Sequence, residues 1–333
     1  MKCESYKYLG DIIANNGKNK ENIADRKRKT LATTISINTI AGSEVLNNIE
    51  TPVLLDLHEK ITIPSLLNNA EAWELTLTDL RELERIEINS IKSLFNLPIH
   101  TPTPAIIFTV GTLYTDIRIH KKQLIYLHRI LNRDHSHWTV NMLQTLADLN
   151  LGWYKGIKHT LSTYGLDDTF DNIKRIPKQI WKRNVQEATE QRNRQKLIDN
   201  CHKKEGDIFV PKMKTKSILE TLETSDYKRN PCKEIMSLSK NECKSLIIAR
   251  FGMLECGVNF KGTMKDECRS CGTVDNEEHR LNHCINVRDV NCYDETEKSP
   301  FNLIYSENVN TIRTMLTKID KIWNVSMGHG AMR

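Results

Sequence analysis

The sequence of 333 residues contains no long hydrophobic run and little proline or glycine. No stretch approaches the roughly 18 apolar residues of a membrane-spanning helix, and the first thirty residues are polar and charged where a secretory signal is apolar. These absences argue against a membrane or exported protein, and we expect an intracellular one, nuclear or cytoplasmic. With only 9 prolines and 14 glycines, the chain has little turn chemistry for an all-β fold. We therefore expect a mostly α fold.

Charge and cysteine usage point to specific regions of the chain. The 48 lysines and arginines exceed the 42 aspartates and glutamates by six, and residues 174–204 alone hold ten basic against three acidic side chains. Nine cysteines without a secretory signal indicate a reducing compartment, where clustered cysteines bind metal more often than they form disulfides. Five cysteines are scattered and are expected to be ordinary thiols: Cys3, Cys201, Cys232, Cys243 and Cys256.

Periodicity and composition divide the chain into five predicted segments. Residues 1–20 form a hairpin, because aromatic and β-branched side chains at 6–13 read as a strand and an Asn-Asn-Gly turn signal follows them. Residues 21–165 carry recurrent apolar stripes, which predict a bundle of packed helices. The remaining segments are a basic helical connector at 166–262, a small cysteine-containing module at 263–292, and a C-terminal helix with a tail at 293–333.

Two local signals define helices more closely. An apolar stripe at Ile117, Leu124, Leu127 and Leu131 has helical spacing and must be buried against another element. Further along, the segment Ser239–Glu242 has the spacing of a capping box, in which a hydroxyl and a carboxylate satisfy the first N–H groups of a helix. Both signals support the mostly α prediction.

The most specific motif is a C-x2-C-x7-H-x4-C array formed by Cys268, Cys271, His279 and Cys284. A C-x-x-C turn presents two thiolates to one ion, and a following helix brings two more ligands, which completes the tetrahedron that zinc prefers. Four protein ligands leave no position for a catalytic water, so we expect a structural zinc site. His283 lies one helical turn from His279 and is an alternative third ligand, although the spacing favours His279.

The basic segment is predicted to contact nucleic acid, because clustered cations gain affinity for a polyanion by releasing its condensed counterions. Lysines recur every four residues at Lys174, Lys178 and Lys182, so we expect one helix face of cations beside Trp181. A second basic cluster lies at residues 18–29. The alternative interpretation is a solvated helix face without a ligand. The candidate contacts are Lys174, Arg175, Lys178, Lys182, Arg183, Arg192, Arg194 and Lys196.

Motifs for catalysis are missing from the sequence. The Asp167-Asp168 pair follows Tyr164-Gly-Leu and misses the Tyr-x-Asp-Asp spacing of two-metal polymerases. The chain has no G-x-x-x-x-G-K phosphate loop, no G-x-S-x-G nucleophile and no H-E-x-x-H metal helix. We therefore expect no catalytic residue in this chain.

Three separated segments resemble the reverse transcriptases of non-LTR retrotransposons, in the part that follows the catalytic palm. The stretch Tyr6–Ile13 with the following Asn-Asn-Gly-Lys resembles the primer-grip hairpin. Residues 66–73, the Leu83-Glu84 helix and residues 103–128 resemble the helical thumb and its extension. Ala249–Gly252 followed by the Cys-Cys-His-Cys array resembles the C-terminal zinc knuckle. The resemblance spans nearly the whole chain, and its specific motifs are the zinc spacing and the Tyr-Leu-Gly hairpin.

The resemblance implies a nucleic-acid-binding part of an RNA-directed DNA polymerase. In the family the primer grip positions the primer 3′ end, the thumb holds the template–primer duplex, and the knuckle engages element RNA or target DNA. Carried over, Tyr8, Leu9 and Gly10 are primer-grip candidates. The family's catalytic aspartates precede the grip, and only five residues precede Tyr6. We therefore expect the catalytic palm to be absent and the chain to be inactive alone, with RNA, DNA and the missing palm and fingers as partners.

Two alternatives stay open at the level of sequence. One is a complete, host-retained protein that uses the same knuckle and basic face to bind DNA or RNA. The other is an interaction scaffold whose helices bury a protein partner. A nucleic-acid binder loses affinity as salt rises, whereas a scaffold retains a protein partner after nuclease treatment.

Overall fold

The computed structural model describes residues 4–8, 10–41, 49–134, 136–167, 169–205, 208–211, 218, 222, 233–251, 267–268, 271–276, 279 and 309–317. Within these residues the chain is mostly helical and begins with a two-stranded antiparallel hairpin, which confirms the mostly α prediction and the hairpin. None of the helices described is both long enough and apolar enough to cross a membrane.

The described elements are mostly helices. In chain order they are β1 (Ser5–Tyr8), β2 (Asp11–Ala14), α1 (Lys20–Ala41), α2 (Thr51–Leu57), a π-helical turn (His58–Thr62), α3 (Ile63–Leu67), a 3-10 turn (Ala70–Ala72), α4 (Leu77–Leu94), α5 (Thr103–Val110), α6 (Thr115–Leu131), α7 (Trp138–Leu149), α8 (Gly152–Thr163), α9 (Phe170–Arg175), α10 (Lys178–Cys201), β3 (His202–Glu205), β4 (Ile208–Pro211), a second 3-10 turn (Lys233–Ser237), α11 (Lys240–Arg250) and α12 (309–317).

The N-terminal hairpin reverses earlier than the sequence predicted. Tyr8 pairs with Asp11 and Tyr6 with Ile13, so residues 6–13, which read as one strand, contain parts of both strands. Gly10 has φ of +92°, in the left-handed region that residues with a Cβ avoid. The Asn-Asn-Gly signal lies after β2 instead, because the Tyr-Leu-Gly segment already supplies the glycine that a tight hairpin turn needs.

The hydrophobic core lies between α4, α6 and α10. All four residues of the predicted α6 stripe are buried there, as expected: Ile117, Leu124, Leu127 and Leu131. Each fully buried side chain of this kind contributes about 1.5–3 kcal/mol to folding. From the basic connector, Trp181, Val185 and Leu197 join the same core, and Ile312 of α12 does so as well. One core therefore continues past residue 165, where the sequence predicted a boundary between two segments. The division of the chain into five segments stays a prediction.

A buried polar network links the π-helical turn to α4 and α6. Both amino groups of Arg118 donate to the carboxylate of Glu59 at 2.7 Å, and Thr115 Oγ1 donates to Glu87 Oε2 at 2.7 Å. The side chain of Glu87 is almost fully buried, 3.5 Å from Arg118, and its burial raises the pKa of the carboxyl. Because a buried charge without a partner is costly, this network fixes how the three elements pack.

Local capping signals appear as the sequence predicts. At the start of α11, Ser239 Oγ accepts from the backbone N–H of Glu242, and the Glu242 carboxylate accepts from the backbone N–H of Ser239 at 2.7 Å. The reciprocal pair satisfies two N–H groups that a helix start leaves without partners. The predicted C-terminal amphipathic helix is described over residues 309–317, where Ile312, Met315 and Leu316 are buried.

Candidate metal centre and nucleic-acid interface

The C-x-x-C turn is closed by backbone hydrogen bonds. The N–H of Cys268 donates to the carbonyl of Thr273 at 2.7 Å, and the N–H of Gly272 donates to the carbonyl of Cys268 at 2.8 Å. Gly272 has φ of +75°, which explains why a glycine follows the second cysteine. A β-bridge between Glu267 and Val274 closes the base of the turn. The turn thus presents both thiols on one short loop.

Three of the predicted ligands lie together. The ligand atoms of Cys268, Cys271 and His279 are all within 4.8 Å of one another, and Cys271 Sγ is 3.1 Å from His279 Nε2. Ligands on one tetrahedral zinc ion are about 3.5–3.8 Å apart, given the Zn–S and Zn–N bond lengths. The cluster can therefore bind a metal ion with small movements of the side chains. Cys284 and the alternative ligand His283 lie outside the described residues.

Neighbouring polar groups hold the imidazole in this cluster. The backbone N–H of His279 donates to Asn276 Oδ1 at 2.7 Å, which helps to orient the histidine. Thr273 Oγ1 is 3.0 Å from Cys271 Sγ and 3.0 Å from His279 Nδ1. Such outer contacts fix the ring orientation and tautomer of a histidine ligand. His279 is buried, whereas the two cysteines are half-buried.

Helix α10 is fixed to the bundle by side chains spaced four residues apart. Trp181 is buried, stacks on His128, and donates from Nε1 to the carbonyl of Leu124 at 3.0 Å. Further along, Asn193 Oδ1 accepts from the backbone N–H of Tyr114 at 3.0 Å. Trp181 is therefore a core residue, and it does not lie on the exposed face of the cations, contrary to the prediction from the sequence. A helix anchored in this way holds its exposed side at a fixed orientation.

Most of the predicted cations are exposed on or beside this helix. Lys178, Lys182, Arg183 and Arg192 are exposed on α10, and Arg175 is exposed at the end of α9. Lys178 and Lys182 are four residues apart and share one helix face. Arg183 also lies 4.0 Å from Glu187, with both side chains about two-thirds exposed, so this pair contributes little to stability.

Three predicted contact residues have other surroundings. Lys196 lies 2.8 Å from Asp116 and 3.4 Å from Glu84, with its ammonium over the ring of Tyr114, so it joins α10 to α4 and α6. Arg194 donates to the carbonyl of Leu222. Lys174 lies in α9, and Pro177 separates α9 from α10. The prediction that Lys174, Lys178 and Lys182 share one helix face is wrong for Lys174. This lysine lies in α9, and a separate helix, α10, begins after Pro177.

Two cations of the second basic cluster, Arg28 and Lys29, are engaged by the carboxylate of Asp25. Asp25 is buried and lies 2.7 Å from Lys29, with Arg28 also bonded to its carboxylate and Lys7 at 3.8 Å. The hydrogen bond from Lys29 lowers the pKa of Asp25. These cations are therefore less available to a polyanion than those of α10. Their i,i+3 and i,i+4 spacing from Asp25 is the signal that could have revealed this.

The hairpin presents aromatic side chains to solvent. Tyr6 and Tyr8 are more than half exposed, and their rings stack at 6.5 Å, whereas Leu9 lies outside the described residues. The hairpin is held in place through Asp11, which accepts from Arg26 and, at 2.7 Å, from Asn69 Nδ2. These anchors bring Tyr8 to the edge of a cleft.

The cleft beside the hairpin has a volume of about 420 Å³ and is lined by parts of β2, α1 and α6. Trp73 and Tyr126 contribute aromatic rings to its wall, and the guanidinium of Arg129 lies 4.9 Å from the ring centre of Tyr126. The sequence did not predict Trp73 and Tyr126 as site residues, because they are distant along the chain from the hairpin. Aromatic faces with a nearby guanidinium can stack on planar groups such as nucleobases.

Comparisons with protein-family models, with curated proteins and with solved structures find no match to this chain. The residues and their geometry are therefore the basis of the functional argument.

Proposed function

We propose that this chain binds nucleic acid through the exposed cations of α10, with a zinc-stabilised knuckle as a second contact. The supporting observation is that α10 is anchored by buried residues while Lys178, Lys182 and Arg192 remain exposed. Cations on a rigid helix bind phosphates without first losing the conformational freedom of a loop. The expected ligand is RNA or DNA.

The metal of the knuckle is zinc in this proposal. Two thiolates and an imidazole within one cluster are the donor types that zinc prefers, and Cys284 is the proposed fourth ligand. With four protein ligands the ion has no open position, so its role is to hold the fold of residues 268–284. In this proposal the zinc ion has a structural role only, and side chains of the chain bind the nucleic acid.

The hairpin and its cleft supply a third proposed contact, for an unpaired base or strand end. Exposed tyrosine rings such as those of Tyr6 and Tyr8 can stack on bases, and each stacked base contributes about 1–3 kcal/mol. Arg129 at the cleft would add a charge contact beside the stacked base.

This set of features supports the assignment to the post-palm part of a non-LTR retrotransposon reverse transcriptase. An N-terminal hairpin, a helical bundle that acts as the thumb, a basic helix and a Cys/His cluster follow in the order of that family. In this proposal the chain holds the template and primer, and polymerisation belongs to a palm. The chain alone binds nucleic acid and does not polymerise.

The experiment is an anisotropy titration of fluorescent single-stranded RNA, single-stranded DNA and a duplex with the full chain. Lys178→Glu combined with Lys182→Glu is expected to weaken binding at least about tenfold for every sequence, since phosphate contacts carry no sequence information. The matched control is Lys155→Glu combined with Lys158→Glu, which makes the same charge change at two exposed lysines of α8.

Two outcomes decide the proposal. Weaker binding by the α10 variant with little change for the control supports it. Absence of binding by the wild-type chain, or equal losses for the α10 double variant and the α8 double control, contradicts it.

A further inference from the structure

Helix α7 carries an exposed apolar stripe that the proposed function does not use. Trp138 is 68% exposed, Met142 54% and Leu149 60%, and with Thr145 they recur at spacings of four, three and four residues on one helix face. The hydroxyl of Thr145 donates to the carbonyl of Asn141 at 3.0 Å, so its hydrogen bond is made within the helix. A tryptophan and two long aliphatic side chains in one exposed row are unusual on a monomer.

The stripe is complementary to itself. If a second copy of α7 packs antiparallel about a two-fold axis near residue 143, Trp138 meets Leu149 of the second copy and Met142 meets Thr145. Each large side chain then faces a smaller one, so the rows interdigitate. The opposite flank of α7 is already used, because Thr139 and Leu143 are buried against the bundle.

Charge also favours the antiparallel arrangement. Asp148 lies near the C-terminal end of α7, and no ion-pair partner for it is present among the residues the structure describes. Arg133 lies at the other end, where its Nη1 is 3.1 Å from His137 Nε2. His137 and Asp148 are eleven residues apart and so share one flank. Two-fold symmetry brings Asp148 of each copy to the Arg133 and His137 end of the other.

We propose that this chain forms a two-fold symmetric dimer through α7, with a second copy of the chain as the occupant of the stripe. The four side chains expose roughly 500 Å² per copy, so the pair buries about 1,000 Å², at the lower limit for a specific interface. The dimer is therefore weak and concentration-dependent, in the micromolar range.

The test is sedimentation equilibrium of the full, nuclease-treated chain over about 1–200 µM. The wild-type chain shows a monomer–dimer equilibrium, and Met142→Glu raises its dissociation constant at least about tenfold because the interface would bury a charge. Ile99→Glu is the control, since Ile99 is 83% exposed and lies outside α7, and it leaves the equilibrium unchanged.

A charge exchange tests the orientation. Asp148→Arg and Arg133→Glu each weaken self-association several-fold, because like charges then meet at both ends of the interface. An equimolar mixture of the two variants restores dimers, since the two substituted side chains, an arginine and a glutamate, meet at one end of the mixed pair. At its other end the unsubstituted Arg133 of one copy meets the unsubstituted Asp148 of the other. A parallel pair would already place Asp148 against Asp148, so Asp148→Arg would not weaken it.

Three results overturn the proposal: a wild-type chain that stays monomeric throughout the range, a dimer that persists in Met142→Glu, or a mixture of charge variants that does not recover. A monomeric chain whose Met142→Glu variant binds RNA more weakly would assign the stripe to nucleic acid instead.

Discussion

The helical bundle and the turn that carries the candidate metal ligands differ in what can stabilise them. In the bundle, long helices bury apolar stripes in one continuous core. In the turn, the described residues are mostly half-buried or exposed, with Val274 57% exposed, and the three ligand atoms form its centre. A segment this small cannot bury enough apolar surface to fold by itself. The comparison predicts that the bundle is insensitive to metal and that the turn depends on it.

Metal removal is the largest expected effect on the turn. Chelation removes a binding free energy of about 10–16 kcal/mol for a structural zinc site, and Cys271→Ser removes one of its ligands; each is expected to unfold the segment from residue 268 to the histidine ligand. Hydrogen exchange of the full chain measures this as loss of protection at Cys268 and Gly272, whose amides donate in the closed turn. Amides of α6 and α10 retain their protection.

Variants of the histidines sharpen the metal prediction. His279→Ala lowers the zinc content measured by elemental mass spectrometry, whereas His279→Cys preserves it because a thiolate replaces the imidazole. His283→Ala is the control that separates the two histidines. Retained zinc in His279→Ala together with zinc loss in His283→Ala would assign the third ligand to His283.

Truncation of a core residue tests the other side of the comparison. Trp181→Ala removes a buried ring and its hydrogen bond to Leu124, and we expect a loss of about 3–5 kcal/mol in the free energy of unfolding measured with urea. Ile180→Ala on the same helix is the control, since Ile180 is 41% exposed and its truncation costs much less. Similar losses for the two variants would show that α10 does not pack as described.

Acid is expected to destabilise the bundle through His58. Burial lowers the pKa of His58 to about 4 from an ordinary value of 6.5, so the unfolded chain binds the proton more readily than the folded chain. Stability contributed by neutral His58 is therefore complete above about pH 6.5 and falls as the pH drops towards 4, by about 2 kcal/mol between pH 7 and pH 5.

The pH prediction needs a variant, because other groups titrate in the same range. His58→Gln keeps a donor for Ser90, which lies 3.0 Å from His58 Nε2, and removes the titrating group. Urea unfolding of both proteins at the two pH values isolates the contribution of His58, since every other titrating group is the same in both. An equal pH dependence in the two proteins would contradict a buried neutral histidine.

Loss of a helix cap is the smallest expected effect. Ser239→Ala removes one half of the capping box of α11, and we expect about 1 kcal/mol of destabilisation. Ser239→Asp preserves an oxygen acceptor at the cap and is the matched control. A destabilisation by Ser239→Asp as large as that by Ser239→Ala would show that the cap is not the cause.

Local signals in the sequence predicted local structure well. The α6 stripe and the Ser239–Glu242 capping box appear as predicted, because helical period and first-turn hydrogen bonds depend on residues within one or two turns. The spacing of Cys268, Cys271 and His279 likewise predicted a cluster that the structure brings together. Failures occurred where two local signals competed, as at the hairpin turn with Gly10.

Long-range pairing was beyond the reach of the sequence. Lys196 resembles its neighbours in composition, yet Glu84 and Asp116, which engage it, lie more than 75 residues away along the chain. Burial of Glu87 was not predictable either, because carboxylates are usually exposed and its partners lie on other elements. The exposure of Trp138 reverses the usual expectation for tryptophan, and only the packing of α7 reveals it.

The salt dependence of nucleic-acid binding tests the central claim most directly. The slope of log affinity against log salt counts the phosphates that the chain neutralises, at about 0.7–0.9 per contact. We predict a steep negative slope for the wild-type chain and a slope shallower by about 1.5 for the Lys178→Glu and Lys182→Glu double variant. A wild-type affinity that does not change with salt, or an unchanged slope in the double variant, would contradict the assignment of α10 as the phosphate-binding surface.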